Sequence, residues 1–249
     1  MRMKIVAKKL SRLILRLRLK PIHVYCLHHV SNEYDSSICY ECDWISEDSF
    51  KKQVKQMMNK CTFISLTQAY KKISSDFVRC KEYAVLTFDD GYSSILESLH
   101  WLETMGIPYT LFLNAKYLDG ESISPHIKER IRLLNHDIIH QNKAAKDIYL
   151  KKSDLESLPV SLSSFGSHGY EHLDATSLSS EDCIRQIEKN CKELTMYPQW
   201  IPFHAYTWGN HTEDSDRLLH YFNLIPVLMD GQKNYNNTSV IHRELFPSL

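Results

Sequence analysis

Short apolar runs alternate with segments of helical period along most of this 249-residue chain. That alternation limits the fold more than any other feature. Runs at 23–30, 63–66, 83–88, 109–114 and 161–166 are short enough for strands. Helical patterns fill 46–59, a stretch capped by Thr67, 95–105, 179–194 and 214–222. Further apolar segments follow at 201–208, 224–229 and 239–245. Strands separated by helices pair in parallel, because each connection must cross back over the sheet. The expectation is an α/β domain with its site at the C-terminal ends of the strands. The charged stretch 124–157 breaks the rhythm and reads as a helical insertion, about 121–160.

Composition excludes several classes. Thirty basic residues balance thirty acidic ones, so no net charge draws the chain to nucleic acid. No run of eighteen apolar residues is present to span a membrane. Residues 2–20 differ from the rest. They carry eight basic side chains and no acid, with Ile5, Val6, Leu10, Leu13, Ile14 and Leu17 at helical spacing. A basic amphipathic helix of this kind either covers an edge of the domain or lies on an anionic membrane surface. Charges interrupt every apolar run there, so no secretory signal is read. The expected location is the cytoplasm, with contact at the inner face of the membrane through residues 2–20. Seven scattered cysteines read as mostly reduced thiols, and Cys39 and Cys42 lack a second ligand pair for zinc. The sequons at Asn210 and Asn236 carry no weight without export.

Two local patterns carry chemistry. Leu86-Thr87-Phe88-Asp89-Asp90-Gly91 ends an apolar run in adjacent carboxylates. Neighbouring strand residues face opposite ways, so both acids serve one site only where the strand ends and turns. Gly91 permits that turn. An ordinary Asp-Gly turn explains the same residues equally well. Ser167-His168-Gly169-Tyr170-Glu171-His172 places two imidazoles four apart, a spacing that suits one metal ion. A second such pair, His136 and His140, sits in the charged insertion and reads as surface helix.

Together, Thr-Phe-Asp-Asp-Gly and Ser-His-x-x-x-His resemble the polysaccharide deacetylase family (NodB-homology, carbohydrate esterase type), from about residue 22 onward. The resemblance implies a single domain built as a distorted (β/α) barrel of about seven parallel strands. It implies that Asp89 is the general base and that Asp90, His168 and His172 bind a divalent metal. Leu27-His28-His29-Val30 is similar to the Tyr-His-Arg-Val segment of one branch, in which this histidine, here His28, is the general acid. His204-Ala205-Tyr206-Thr207-Trp208-Gly209 resembles a loop that supplies a backbone N–H to the oxyanion, here from Trp208. Thr207 stands where the family has proline. Arg243 matches an arginine that orients the base. Tyr92, Tyr170, Tyr206 and Trp208 are candidates to stack on a sugar ring.

The resemblance implies a hydrolase that removes an N-acyl group, usually acetyl, from an amino sugar of a surface polysaccharide or a lipid-linked precursor. One Asp and two His suit zinc, and cobalt, nickel or iron fit the same donors. Two alternatives stay open: a degenerate member that only binds carbohydrate, and a metal-dependent hydrolase of another amide.

Overall fold

A computed structural model describes residues 20–75, 81–133, 148–236 and 238–247. The basic segment 2–19 and the pair His136 and His140 lie outside the described residues, as does the middle of the insertion. Among the described residues no helix is long and apolar enough to cross a membrane.

The strands in chain order are β1 (Ile22–Leu27), β2 (His29–Val30), β3 (Trp44–Ile45), β4 (Cys61–Phe63), β5 (Glu82–Asp89), β6 (Tyr109–Leu113), β7 (Ser163–Ser167), β8 (Trp200–Ala205), β9 (Ile225–Met229) and β10 (Ile241–Leu245). Seven of them close a ring of parallel pairs. β1 pairs with β5, β5 with β6, and so on through β7, β8, β9 and β10, which returns to β1. The ring is a closed (β/α) barrel, as expected. It is irregular in two places. β10 meets β1 through only two residue pairs, Tyr25 with Glu244 and Cys26 with Leu245. The β7–β8 register shifts between Phe165 and Ser167. β4 stands outside the ring. It pairs with Glu82 to Ala84 of β5, ahead of the stretch of that strand taken by β6.

Helices cover the outside, and their ends follow the local chemistry. The helix Glu47–Met58 starts where Ser46 accepts the Ser49 N–H at 3.3 Å, and it buries Phe50 and Val54 one turn apart. The helix Ser180–Leu194 is capped by Ser179 and buries Cys183, Ile187, Asn190 and Leu194 along one stripe. Ser65, not Thr67, caps the helix Leu66–Ile73, in a reciprocal box with Gln68. The strand before it is Cys61–Phe63, earlier than the apolar run at 63–66 suggests. Leu66 carries its apolar side chain into the core as the first residue of the helix. Among the described residues, the stretch read as an insertion contains the short helices Pro125–Leu133 and Lys152–Ser157.

Side chains alternate along the barrel strands. Leu86 and Phe88 of β5 join the outer core with Phe50, Leu99 and Leu111. Val85 joins an inner core with Ile22, Val24, Phe112, Phe203 and Ile241. Followed toward the strand ends, the inner positions turn polar: Val85 gives way to Thr87 and Asp89, Val24 to Cys26, and Ile241 to Arg243. All are buried. The apolar interior therefore ends in a polar cluster at the C-terminal mouth.

Candidate active site

Asp89 is the last residue of β5, and its carboxylate meets Arg243 across the interior. Arg243 donates from Nη1 to Oδ1 at 2.6 Å and from Nη2 to Oδ2 at 2.8 Å. Both side chains are almost wholly buried. Thr87 extends the clamp. Its hydroxyl donates to the Tyr25 carbonyl and accepts from Arg243 Nη1 at 3.2 Å. Burial by itself would raise the Asp89 carboxyl, but the guanidinium, with His168 and His28 nearby, holds it down at about 2. The Cys26 thiol donates weakly to Asp89 Oδ2 at 3.5 Å. One donor atom each of Cys26, His28 and Asp89 fall within 4.8 Å of one another.

Asp90 leaves the strand in the left-handed region (φ 67°), and Gly91 follows at φ 71°. This break brings two adjacent carboxylates to one mouth. His172 and Trp208 also have positive φ, at 53° and 61°. Such backbone is uncommon for side chains other than glycine and marks positions held by their surroundings. Here those positions crowd the same cleft.

Asp90 Oδ1 lies 2.9 Å from His172 Nε2 and 3.3 Å from His168 Nε2. It is shielded from solvent, yet it has no hydrogen bond of good geometry. His168 Nδ1 sits 2.8 Å from the Ala205 carbonyl, which can only accept. The Nδ1 nitrogen therefore carries a proton. Burial lowers the imidazole, but Asp89 and Asp90 beside it raise it above its ordinary value, as the carboxylates would equally attract a metal ion in place of the Nε2 proton. A buried carboxylate oxygen and two imidazole nitrogens that converge within 4.8 Å fit a divalent cation.

The supports beneath this trio are polar and buried. Asn114 donates to the carbonyls of His168 and Gly169. Asn190 accepts from the Ala115 N–H at 2.7 Å and donates to the Leu113 carbonyl and Ser167 Oγ, each at 2.9 Å. His204 faces Ser167 Oγ, and burial pushes its imidazole down to about 3, so it stays neutral. Thr207, standing in place of proline, is buried, and its hydroxyl donates to the Leu173 carbonyl. That bond ties the Trp208 loop to the residue after His172.

A cavity of about 280 Å³ opens over the cluster. His28, Asp89, Asp90, His168, His172, Trp208 and Arg243 all line it, so every site residue expected from the sequence arrives at one place. Tyr92, Tyr206 and Trp208 line it as well, but Tyr170 does not. Tyr170 packs against the outer core beneath Lys189. Cys26 and His126 are among the further wall residues that were not expected. Cys26 lies two residues before His28, so strand alternation could have placed it on the inner face. His126 comes from the insertion, where no pattern in the sequence marks it. Burial holds its imidazole down at about 4, hence neutral.

The profile of the polysaccharide deacetylase family matches residues 78–224, more than half of the chain. The chain belongs to the polysaccharide deacetylase family. Solved structures share its fold. IcaB from Ammonifex degensii superposes with a TM-score of 0.70 at 16% identity, covering 92% of each chain. The Streptococcus pyogenes deacetylase PplD, in complex with acetate, gives 0.69 at 15%, covering 91% of this chain and 92% of that one. The putative polysaccharide deacetylase BA0330 from Bacillus anthracis gives 0.68 at 14%, covering 91% and 64%. None of the curated protein sequences matches the chain. The matched region of this deacetylase-family chain contains Asp89, Asp90, His168, His172 and Trp208, whereas His28 and Arg243 lie outside it.

Proposed function

We propose that the chain is a metal-dependent de-N-acetylase of amino sugars, acting on a polysaccharide or a lipid-linked saccharide precursor. One observation carries this reading. Three convergent metal donors stand directly beside a buried carboxylate that a bidentate arginine holds ionised. Asp90, His168 and His172 would hold the ion. Zinc is the ion best suited to this donor set, and cobalt, nickel or iron are compatible with it. When bound, the ion supplies Lewis acidity, polarising the acyl carbonyl and making water a stronger acid.

Asp89 takes the proton of the attacking water. A carboxylate held at about 2 is a weak base, so it works only on water that has already been acidified. The Arg243 clamp keeps it charged and fixes the direction of its oxygens. His28, across the mouth from Asp89, donates a proton to the departing sugar nitrogen. The Trp208 N–H donates to the oxygen that becomes charged as the acyl carbon turns tetrahedral. A donor of that kind typically contributes about 3 kcal/mol. Trp208 is half exposed and offers its ring to a sugar. The Streptococcus pyogenes neighbour was solved with acetate, the product that such a reaction would release.

The test has two parts. Metal content is measured in the wild type and in His168→Ala, and acetate release is then followed on acetylated amino-sugar oligomers beside simple amides. About one equivalent of metal in the wild type, its loss in the variant and release only from the sugars are expected. No metal in the wild type after reconstitution would defeat the reading.

A further inference from the structure

The helix Pro125–Leu133 belongs to the insertion, and its second residue reaches the site. The His126 ring lies 4.5 Å from the His172 ring and 5.2 Å from the Trp208 ring, centre to centre. His126 Nε2 is 3.2 Å from the Tyr92 hydroxyl oxygen. Ser124 Oγ lies 3.5 Å from the same nitrogen.

Both contacts engage Nε2, and a hydroxyl oxygen can accept the proton of that nitrogen. With the proton there, His126 Nδ1 presents a lone pair. That nitrogen is shielded from solvent and has no hydrogen-bond partner. His172 Nδ1 is in the same condition. With Nε2 given to a metal ion, His172 would carry its proton on Nδ1. Two unpartnered nitrogens thus occupy rings in contact.

We propose that His126 is the outer partner of His172, accepting the His172 Nδ1–H on its own Nδ1. This rests on the ligand set Asp90, His168 and His172 proposed above. His168 already follows the same rule, through the Ala205 carbonyl. Histidines that bind metals nearly always direct their second N–H to such an acceptor, which sets tautomer and ring plane. The completed bond joins Tyr92, His126 and His172 in one chain of side chains. His126 is then a positioning residue, and the insertion is part of the metal site.

The experiment measures zinc affinity by competition with a chromophoric chelator, on wild type, His126→Leu and His126→Asn prepared metal-free. Leucine keeps bulk between His172 and Trp208 but accepts nothing. Asparagine places a carbonyl oxygen near the position of Nδ1. The expected result is zinc bound about 10- to 100-fold more weakly by His126→Leu and near wild-type affinity in His126→Asn. The melting temperatures of the three metal-free proteins should agree. Should His126→Leu fail to fold, His126→Ala takes its place with the same expectation. Equal affinity in wild type and the acceptor-less variant overturns the proposal, as does an equal loss in both substitutions. A wild type that binds no zinc overturns the ligand set itself, before any variant is compared.

Discussion

Replacing Arg243 with methionine tests the clamp most directly. Methionine fills similar space without charge, so the Asp89 carboxylate stays buried with no charged partner and only the weak Cys26 thiol contact. Breaking a buried pair from one side costs about 3–5 kcal/mol. That range corresponds to about 2–4 pKa units at Asp89, which would lift its carboxyl from about 2 to about 4–6. The sign follows from linkage. In the wild type the folded pKa lies below the ordinary 3.8, so the carboxylate adds stability above about pH 4, and this is lost as pH falls through about 2. In Arg243→Met the folded pKa lies above the ordinary value, so the carboxylate destabilises at neutral pH, and protonation relieves it. The stability gap between the two proteins is therefore widest near pH 7. Below the carboxyl pKa of the variant it narrows by about 1.4 kcal/mol per pH unit. Urea melts of metal-free protein across this range measure it. The acid limb of residual activity should rise with the carboxyl. The double variant Arg243→Met with Asp89→Asn removes both charges and should recover most of the stability but none of the activity. A pH-independent gap, or no recovery in the double variant, would refute the reasoning.

Four other expectations can be checked by ordinary means. Asp89→Asn should lower kcat by about 10²–10⁴ while holding its metal, and a fully active variant would remove the base assignment. His28→Gln should show a loss of similar size with unchanged metal content; unchanged kcat would free His28 from the role of acid. Gly166→Ala should destabilise by about 1–3 kcal/mol, because a Cβ there meets Phe112 ring carbons at 2.5 and 2.7 Å and the Phe203 carbonyl at 3.0 Å. An unmoved urea midpoint would contradict that close packing. Asn190→Ala strands the Ala115 N–H and leaves the Leu113 carbonyl with the His168 N–H alone, and should cost about 1–3 kcal/mol by the same measurement.

The barrel was legible because its strands are short apolar runs bounded by capped helices, a local signal. Asp89, Asp90, His168 and His172 were legible because each pair sits within one turn of chain. The ambiguity at Asp89-Asp90-Gly91 was real, since a turn and a site both need the left-handed backbone found at Asp90. In the structure the turn is made, and both carboxylates line the same cavity. Arg243 was harder, because an inward position on a late strand acquires meaning only when β10 returns to β1. His126 was not legible at all. It follows Pro125 on a helix whose fully buried residue is the neighbouring Ile127, and nothing local distinguishes it from a surface histidine. Thr207 shows the opposite case. It stands where the family has proline, yet its hydroxyl makes a bond that no proline could make.

Asp89 and Arg243 stand 154 positions apart. On a ribosome, Asp90, His168 and His172 emerge long before the guanidinium that neutralises their neighbour. Until β10 seats, the strands cannot close, and the Asp89 carboxylate lacks its charged partner. Closure of the ring and the pairing of Asp89 with a cation are thus one late event in synthesis, and a chain stopped short of it has neither.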